Sequence, residues 1–215
     1  MNSIVALFFR VPAILLAITV HELAHGWTAR KLGDTTAERM GRLTLNPLAH
    51  LDFFGTLMLL FGPFGWAKPV PVNPANLQNP KRDMIWVSVA GPLSNILLGY
   101  ITAMVYRFVF HGQVHGFSKI FFIYFIIINI GLSFFNLLPI PPLDGSNIVR
   151  GFMPYQTEVK YLRAMRRVPV IFLVMIGFEW ILNVPVLSFI LNPLWKPYLN
   201  LMLDIYGVKS MLFGG

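Results

Sequence analysis

The chain has 215 residues, of which 56% are hydrophobic and 12% charged, and its uncharged runs exceed the ~20 residues that span a bilayer core. This composition excludes an ordinary soluble domain and predicts a membrane protein. Cysteine is absent, which excludes disulfides and thiolate metal ligands, so a bound metal would need histidine and carboxylate ligands. The net charge of +8 does not indicate a nucleic-acid partner, because the basic residues lie in short loops where they set topology and meet lipid headgroups.

The first apolar segment, residues 4–29, contains the sequence His-Glu-Leu-Ala-His. In a helix, His21 and His25 project from one face a turn apart, as two ligands of one metal ion must. Glu22 lies one position round the helix, where its carboxylate can take a proton from an attacking water. Ionisable residues at membrane depth are costly and indicate a functional site. The alternative is that the two histidines only form hydrogen bonds within a helix bundle.

Residues 41–79 differ in character from the first segment. Two short β-prone stretches, punctuated by proline and glycine, flank an apolar run at residues 53–61 that is too short to span as a helix. Basic residues on both flanks predict a re-entrant β-hairpin region that dips into the membrane and returns to the same side. The alternative is an interfacial loop with a short spanning helix.

A second spanning helix is predicted over the uncharged residues 84–106. Asn95 lies within it and needs a polar partner in a hydrocarbon environment. Two roles remain open for this residue. Asn95 either faces the cavity of the predicted site and positions a substrate, or it serves helix packing.

The third uncharged run, residues 120–143, contains three prolines in residues 139–142 that must end its helix. Asp144 follows directly, and it is the only acidic residue between Asp83 and Glu158. It is therefore the carboxylate predicted to join the two histidines. The alternative is that Asp144 only caps the next helix.

Together these residues predict a catalytic zinc site, which requires three protein ligands and an open position. His21, His25 and Asp144 would hold one Zn²⁺ per chain. Glu22 would move a proton from the attacking water to the leaving amine of a peptide. Asn136, eight residues before Asp144, is predicted to donate a hydrogen bond to the oxyanion or to the substrate backbone.

The C-terminal part of the chain is predicted to add further helices. Residues 169–191 form another spanning candidate, within which Glu179 either pairs with a loop arginine or acts as a gate. Residues 194–205 are amphipathic and are expected to lie in the interface. The basic residues near the ends of the first and third segments predict that these ends face the cytoplasm.

The expected architecture is an all-α polytopic membrane protein. It comprises about four to six transmembrane helices in a bundle, with the small re-entrant β-hairpin region described above. A single domain is predicted over residues 1–215, with the core motifs in residues 4–149 and C-terminal helices in residues 167–207.

The motifs, in their order along the chain, resemble those of the site-2 proteases, which are intramembrane zinc metalloproteases. They are HELAHG from residue 21, Gly-Pro-x-x-Asn at residues 91–95 and FNLLPIPPLDG at residues 135–145. The stretches at residues 41–52 and 66–74 are similar to those of compact bacterial members, which lack the PDZ and CBS domains of longer relatives.

This resemblance implies zinc held by His21, His25 and Asp144, with Glu22 as the catalytic base. It implies a multi-pass protein of the cell membrane whose active site lies toward the cytoplasmic side. The implied partners are membrane-protein substrates, either single-span proteins or signal-peptide remnants. The alternative function is a catalytically silent scaffold or adaptor of the same fold. A metal transporter is a poorer alternative, because the ionisable residues cluster toward one side of the membrane.

Overall fold

The computed structural model describes residues 3–61, 65–111 and 116–209, and these are mainly helical. The α-helices are α1 (Ser3–Lys31), α2 (Thr36–Arg39), α3 (Phe53–Phe61), α4 (Pro80–Met104), α5 (Gly116–Leu137), α6 (Asp144–Phe152), α7 (Tyr155–Met165), α8 (Val168–Leu182) and α9 (Val186–Tyr206). A π-helical segment, Val105–Val109, extends α4, and short 3₁₀ turns lie at Pro47–His50 and Pro74–Asn76.

Within the described residues, three helices are long and apolar enough to cross a membrane: Phe8–Lys31 of α1, Pro80–Val109 of α4 and its extension, and Gly116–Leu137 of α5. The predicted all-α membrane protein is therefore confirmed, but the predicted four to six spanning helices are not. The expected span over residues 169–191 is divided between α8 and α9. Asn183 ends α8 with a φ of 54°, and the following Pro185 disfavours helical backbone at Val184.

The predicted β-hairpin region is also not confirmed. In the part of the chain that the structure describes, β-pairing is limited to one isolated antiparallel bridge between Leu51 and Ala67, beside a hydrogen bond from Lys68 N to His50 O of 2.9 Å. Pro69 and other prolines follow at once, and proline has no N–H to donate to a ladder. The apolar run between the two stretches forms the nine-residue helix α3.

α1 and α4 pack through buried residues that recur every fourth position. Alanine or glycine occupies at least half of the positions in each stripe, which lets the two helix backbones approach closely. The pairing is antiparallel, since His21 meets Asn95 while His25 meets Val87. The stripes are Ala13, Ala17, His21, His25 and Ala29 on α1, and Asp83, Val87, Gly91, Asn95, Gly99 and Ala103 on α4. The two metal-ligand candidates on α1 thus lie within the helix interface itself.

α5 packs against both α1 and α4 and delivers the chain to α6. It ends at Leu137, two residues before Pro139, as the prolines predicted. α6 then begins at Asp144 and packs directly on the end of α5. A Cβ at Gly145 would lie 2.3 Å from the Leu137 carbonyl oxygen, so this approach requires glycine. The tight junction fixes the position of Asp144 relative to α1.

Candidate metal centre

Three side chains from two helices converge at the α1–α4 interface. The Nε2 atoms of His21 and His25 lie 3.0 Å apart. Asp144 Oδ2 lies 3.2 Å from His21 Nε2 and 3.3 Å from His25 Nε2. Both histidines are buried and the carboxylate is largely buried. The structure therefore brings together the three residues that the sequence predicted as ligands, and they form a group able to hold one metal ion.

The opposite nitrogen of each imidazole is bound to an oxygen acceptor. His21 Nδ1 lies 2.7 Å from Asn95 Oδ1, and His25 Nδ1 lies 2.7 Å from the Val87 carbonyl oxygen. Each Nδ1 must therefore carry the proton, which leaves each neutral ring with a lone pair on Nε2. This is the tautomer that a metal-binding histidine needs, with its second nitrogen fixed by a hydrogen bond.

The converging atoms fit a cation. Asp144 Oδ2 is buried and accepts no hydrogen bond, although two imidazole nitrogens face it. With both Nε2 atoms unprotonated, two lone pairs and a carboxylate oxygen face one another within 3.3 Å, an arrangement that a bound cation would stabilise. Two imidazoles and one carboxylate form a donor set that suits zinc.

Asp144 does not simply cap α6. Leu143 is the N-cap residue, and Asp144 occupies the first helical position with its carboxylate directed toward His21 and His25. The negative charge is favourable at that helix terminus as well. The Asp144 side chain thus lies at the start of α6 and contacts both histidines at the same time.

Gly91 of α4 lies directly against the two imidazole rings. A Cβ at this position would lie 2.3 Å from His25 Nε2 and 2.6 Å from His21 Cε1. Real Cβ contacts of this length do not occur, and both rings are fixed by hydrogen bonds at Nδ1. The site therefore requires glycine here.

Glu22 is held by a backbone donor from the loop before α4. The Val70 N–H donates to Glu22 Oε2 over 2.7 Å. Val70 lies between Pro69 and Pro71, so it carries the only N–H of this tripeptide. The bond orients the carboxylate that follows His21 and leaves Glu22 Oε1 for another partner.

The loop around Val70, here called the 68–73 segment, is fastened on both sides of this contact. Arg42 donates from Nη2 to the Lys68 carbonyl oxygen over 2.7 Å. At the other end, Asn73 N donates to Asp34 Oδ2 over 2.6 Å. Burial would raise the pKa of Asp34, but the hydrogen bonds that its carboxylate accepts outweigh burial and lower the pKa.

The two asparagines predicted as site residues take different positions. Asn95 is fully buried and contacts His21, and its predicted role in substrate positioning stays a prediction. Asn136 lies in the last turn of α5, where its Nδ2 donates to the Leu132 carbonyl oxygen over 3.0 Å. Its predicted hydrogen bond to an oxyanion or substrate also stays a prediction.

Sequence reasoning missed three contributions to the site. The Val87 carbonyl and the Val70 N–H are backbone groups, and the proline on each side of Val70 was the one available signal for the latter. Asn129, which contacts Asn95, is the third. An amide within an apolar run such as residues 120–137 is itself a signal, because it requires a polar partner.

Comparison with known proteins identifies the family. The model of peptidase family M50 matches residues 9–120 and 110–176. The chain belongs to peptidase family M50. The predicted recognition of the site-2 proteases is thereby confirmed. The two matched ranges together extend from α1 into α8 and include His21, His25 and Asp144.

Relatives in family M50 include a Bacillus subtilis protein named "Putative zinc metalloprotease YwhC", which is 39% identical over 176 residues, or 78% of this chain and 79% of that protein. The Methanocaldococcus jannaschii protein "Zinc metalloprotease MJ0392" is 26% identical over 150 residues. That alignment covers 69% of this chain but 36% of the longer relative. No solved structure matches the chain.

Membership of family M50 confirms the predicted enzyme class, a metalloprotease. The family, its relatives and the group of two histidines and one aspartate also confirm zinc as the predicted cofactor. The three apolar helices and the membership of family M50 both support the prediction of a membrane protein.

Proposed function

We propose that this family M50 protein is an intramembrane zinc endopeptidase that cleaves peptide bonds in or near transmembrane segments of partner proteins. One observation carries the proposal. Three ligand atoms with free lone pairs converge beside Glu22 on a helix long and apolar enough to span a membrane. His21 is ten residues before Lys31 at the end of α1, which is about 15 Å at ~1.5 Å per residue.

His21, His25 and Asp144 would hold the zinc ion, which supplies polarisation of a peptide carbonyl and a lower pKa for a water molecule. Glu22 acts as the general base. Its carboxylate takes a proton from the attacking water and delivers it to the leaving amine. The Val70 N–H holds one carboxylate oxygen, so the proton is handled by the other.

The orientation of the protein in the cell membrane belongs to the same proposal. The paired contacts between α1 and α4, and those between α4 with its extension and α5, support an antiparallel order. The end of α1, the start of α4 and the end of α5 therefore share one side. Twelve of the seventeen lysines and arginines lie in residues 30–82 or 150–167, which flank these ends. By the positive-inside rule that side is cytoplasmic.

The substrates are single-span membrane proteins or signal-peptide remnants. A transmembrane helix bonds its own carbonyls, so it must unwind before its peptide bonds can be attacked. The 68–73 segment is proline-rich, lies outside any helix and contacts Glu22, which supports pairing of an unwound substrate beside this segment. A silent scaffold or adaptor would need no general base next to two metal ligands.

Cleavage of a reporter tests this proposal. Purified protein in detergent with zinc would be incubated with a panel of tagged single-span substrates. We expect the wild-type chain to cut at least one of them, and Glu22→Gln to cut it about 10²–10⁴-fold more slowly while retaining zinc. Glu38→Gln is the matched control, because Glu38 is exposed and pairs with Arg30 away from the site.

Two results would contradict the proposed function. If Glu22→Gln cleaves as fast as the wild-type chain, Glu22 is not the base. If the folded wild-type chain binds zinc but cuts none of the substrates, cleavage of single-span membrane proteins is not the reaction of this metalloprotease. Asp144→Ala separates these cases from a failure of the metal site, since it should abolish zinc binding.

A further inference from the structure

Asn129 is a fully buried amide in the middle of α5, one of the helices apolar enough to span the membrane. Its Oδ1 accepts a hydrogen bond of 2.9 Å from Asn95 Nδ2. Its own Nδ2 donates to the Phe125 carbonyl oxygen over 2.8 Å. Asn129 does not touch the metal ligands, yet it contacts the residue that holds His21.

The hydrogen bonds of these amides run in one direction. Asn129 donates to a backbone carbonyl, which cannot donate in return, so its Oδ1 must face Asn95. Asn95 Nδ2 uses its two protons on Asn129 Oδ1 and on the Ala17 carbonyl oxygen, 3.0 Å away. Asn95 Oδ1 is therefore the atom that faces His21 Nδ1.

The two histidines are oriented by different means. His25 Nδ1 donates to the Val87 backbone carbonyl, whose identity as an acceptor is fixed. His21 Nδ1 faces a side-chain amide, which presents either oxygen or NH₂ depending on its rotation. A rotated Asn95 would donate to Nδ1 and force the proton of His21 to Nε2, which points into the metal site.

We propose that Asn129 is a positioning residue for the metal site, which it controls through Asn95. By accepting from Asn95 Nδ2 alongside the Ala17 carbonyl, it helps to keep Asn95 Oδ1 toward His21 and so keeps the Nε2 lone pair of His21 available to zinc. The inference rests on the metal site of the proposed function. It explains why α5 carries a buried amide, although α5 supplies none of the three ligands.

Zinc affinity tests the proposal without recourse to activity. The affinity of purified apo-protein in detergent would be measured by competition with a chelator of known affinity. We expect Asn129→Leu, which has a similar size but no acceptor, to weaken zinc binding about 10–100-fold. Asn129→Asp should stay within threefold, because a neutral carboxyl group has the same shape, accepts from Asn95 and donates to the Phe125 carbonyl.

Ser133→Ala is the matched control. Ser133 is also fully buried, lies one turn along the same helix and bonds to Tyr198 Oη, 2.8 Å away, and not to Asn95. We expect it to alter thermal stability but leave zinc affinity within twofold. An equal loss of affinity in Ser133→Ala and Asn129→Leu would overturn the proposal, because any disturbance of α5 would then suffice.

A double-mutant cycle separates positioning from packing. Asn95→Leu removes the acceptor of His21 Nδ1, so it should itself weaken zinc binding, and it also removes the group through which Asn129 acts. In that background Asn129→Leu should cost no further affinity. The same loss in both backgrounds would overturn the proposal. If Asn129→Leu does not fold, Asn129→Ala enters the cycle in its place.

The wild-type chain and Asp144→Ala complete the series. Zinc binding by the wild-type chain that is lost in Asp144→Ala establishes the metal site. If the Asn129 variants then bind zinc as the wild-type chain does, the positioning role of Asn129 is wrong, while the metal site itself stands. Equal binding by both chains would instead remove the metal site on which the proposed function depends.

Discussion

Gly91 determines whether two imidazole rings fit between α1 and α4. Its substitution by alanine would direct a methyl group at His25 Nε2, one of the predicted ligand atoms. The rings cannot retreat without losing their hydrogen bonds to Asn95 and Val87. We expect Gly91→Ala to reduce zinc affinity at least tenfold, as measured by chelator competition.

Gly177 provides the control for this substitution. It lies in α8, where an added Cβ would meet nothing within 4 Å. Gly177→Ala should therefore leave zinc affinity unchanged. If Gly91→Ala binds zinc as tightly as Gly177→Ala does, the two helices are less closely packed at the site than described above.

At this scale, the sequence predicted the side chains of the site and missed the backbone around it. His21 and His25 were predictable because helix periodicity puts positions four apart on one face. Asp144 was predictable because acidic residues are so scarce in its part of the chain. The role of the Val87 carbonyl was not predictable, because every residue has a backbone carbonyl. Only the packing of α1 against α4 brings this one into contact with His25.

The 68–73 segment depends on Asp34, a buried carboxylate just beyond α1. Asp34 accepts hydrogen bonds from Thr36, Asn73 and Asn76. Asn at this position can accept at only one atom, so we expect Asp34→Asn to destabilise the protein by about 1–3 kcal/mol. A lower melting temperature in detergent at pH 7 would measure this loss.

The loss should depend on pH in a defined direction. The pKa of Asp34 is lower in the folded protein than its ordinary value, so its stabilisation is fully present above the ordinary value. The contribution disappears as the pH falls through the lowered pKa. The difference between the wild-type chain and Asp34→Asn should therefore shrink in acid. Asp204→Asn, at an exposed ion pair, should change stability by less than about 0.5 kcal/mol at any pH.

Among the elements, the long helices were predicted well and the region between α1 and α4 was not. Uncharged runs and prolines determine where α4 and α5 lie, and both signals are local in sequence. The β-prone residues near Trp66 favoured a hairpin, but the prolines that follow remove the donors that a ladder needs. The division between α8 and α9 was missed because hydropathy continues across the break at Asn183.

The orientation of the whole molecule is open to a direct measurement, because the chain has no cysteine of its own. A single cysteine at Lys160, in the basic region after α6, should resist a membrane-impermeant maleimide in intact cells and react after lysis. A cysteine at Phe110, at the opposite end of the α4 extension, should react in both conditions. Both positions are exposed in the structure.

The reverse labelling pattern would put the basic residues outside the cell and the metal site toward the outer surface. Labelling at both positions in intact cells would show that neither end is shielded by the membrane. Unmodified protein, which has no thiol, is the blank in each case.

For the molecule as a whole, composition was sufficient to predict a helical membrane protein but not the number of its spanning helices. Hydrophobicity shows that a segment avoids water, whereas crossing the membrane also depends on helix length and on where breaks fall. α8 has 15 residues, fewer than the ~20 of a spanning helix, and α9 contains Pro193 and Pro197.

The junction of α1 with α6 has a thermodynamic consequence. His21 and Asp144 belong to distant parts of the chain and come together only when it is folded, so zinc binds the folded state in preference to the unfolded one. By mass action, free zinc at a hundred times its dissociation constant adds about 2.7 kcal/mol to the folding free energy. The zinc ion that makes the site competent for hydrolysis would then also stabilise the folded protein. The lifetime of the enzyme would therefore depend on the concentration of free zinc in the cell.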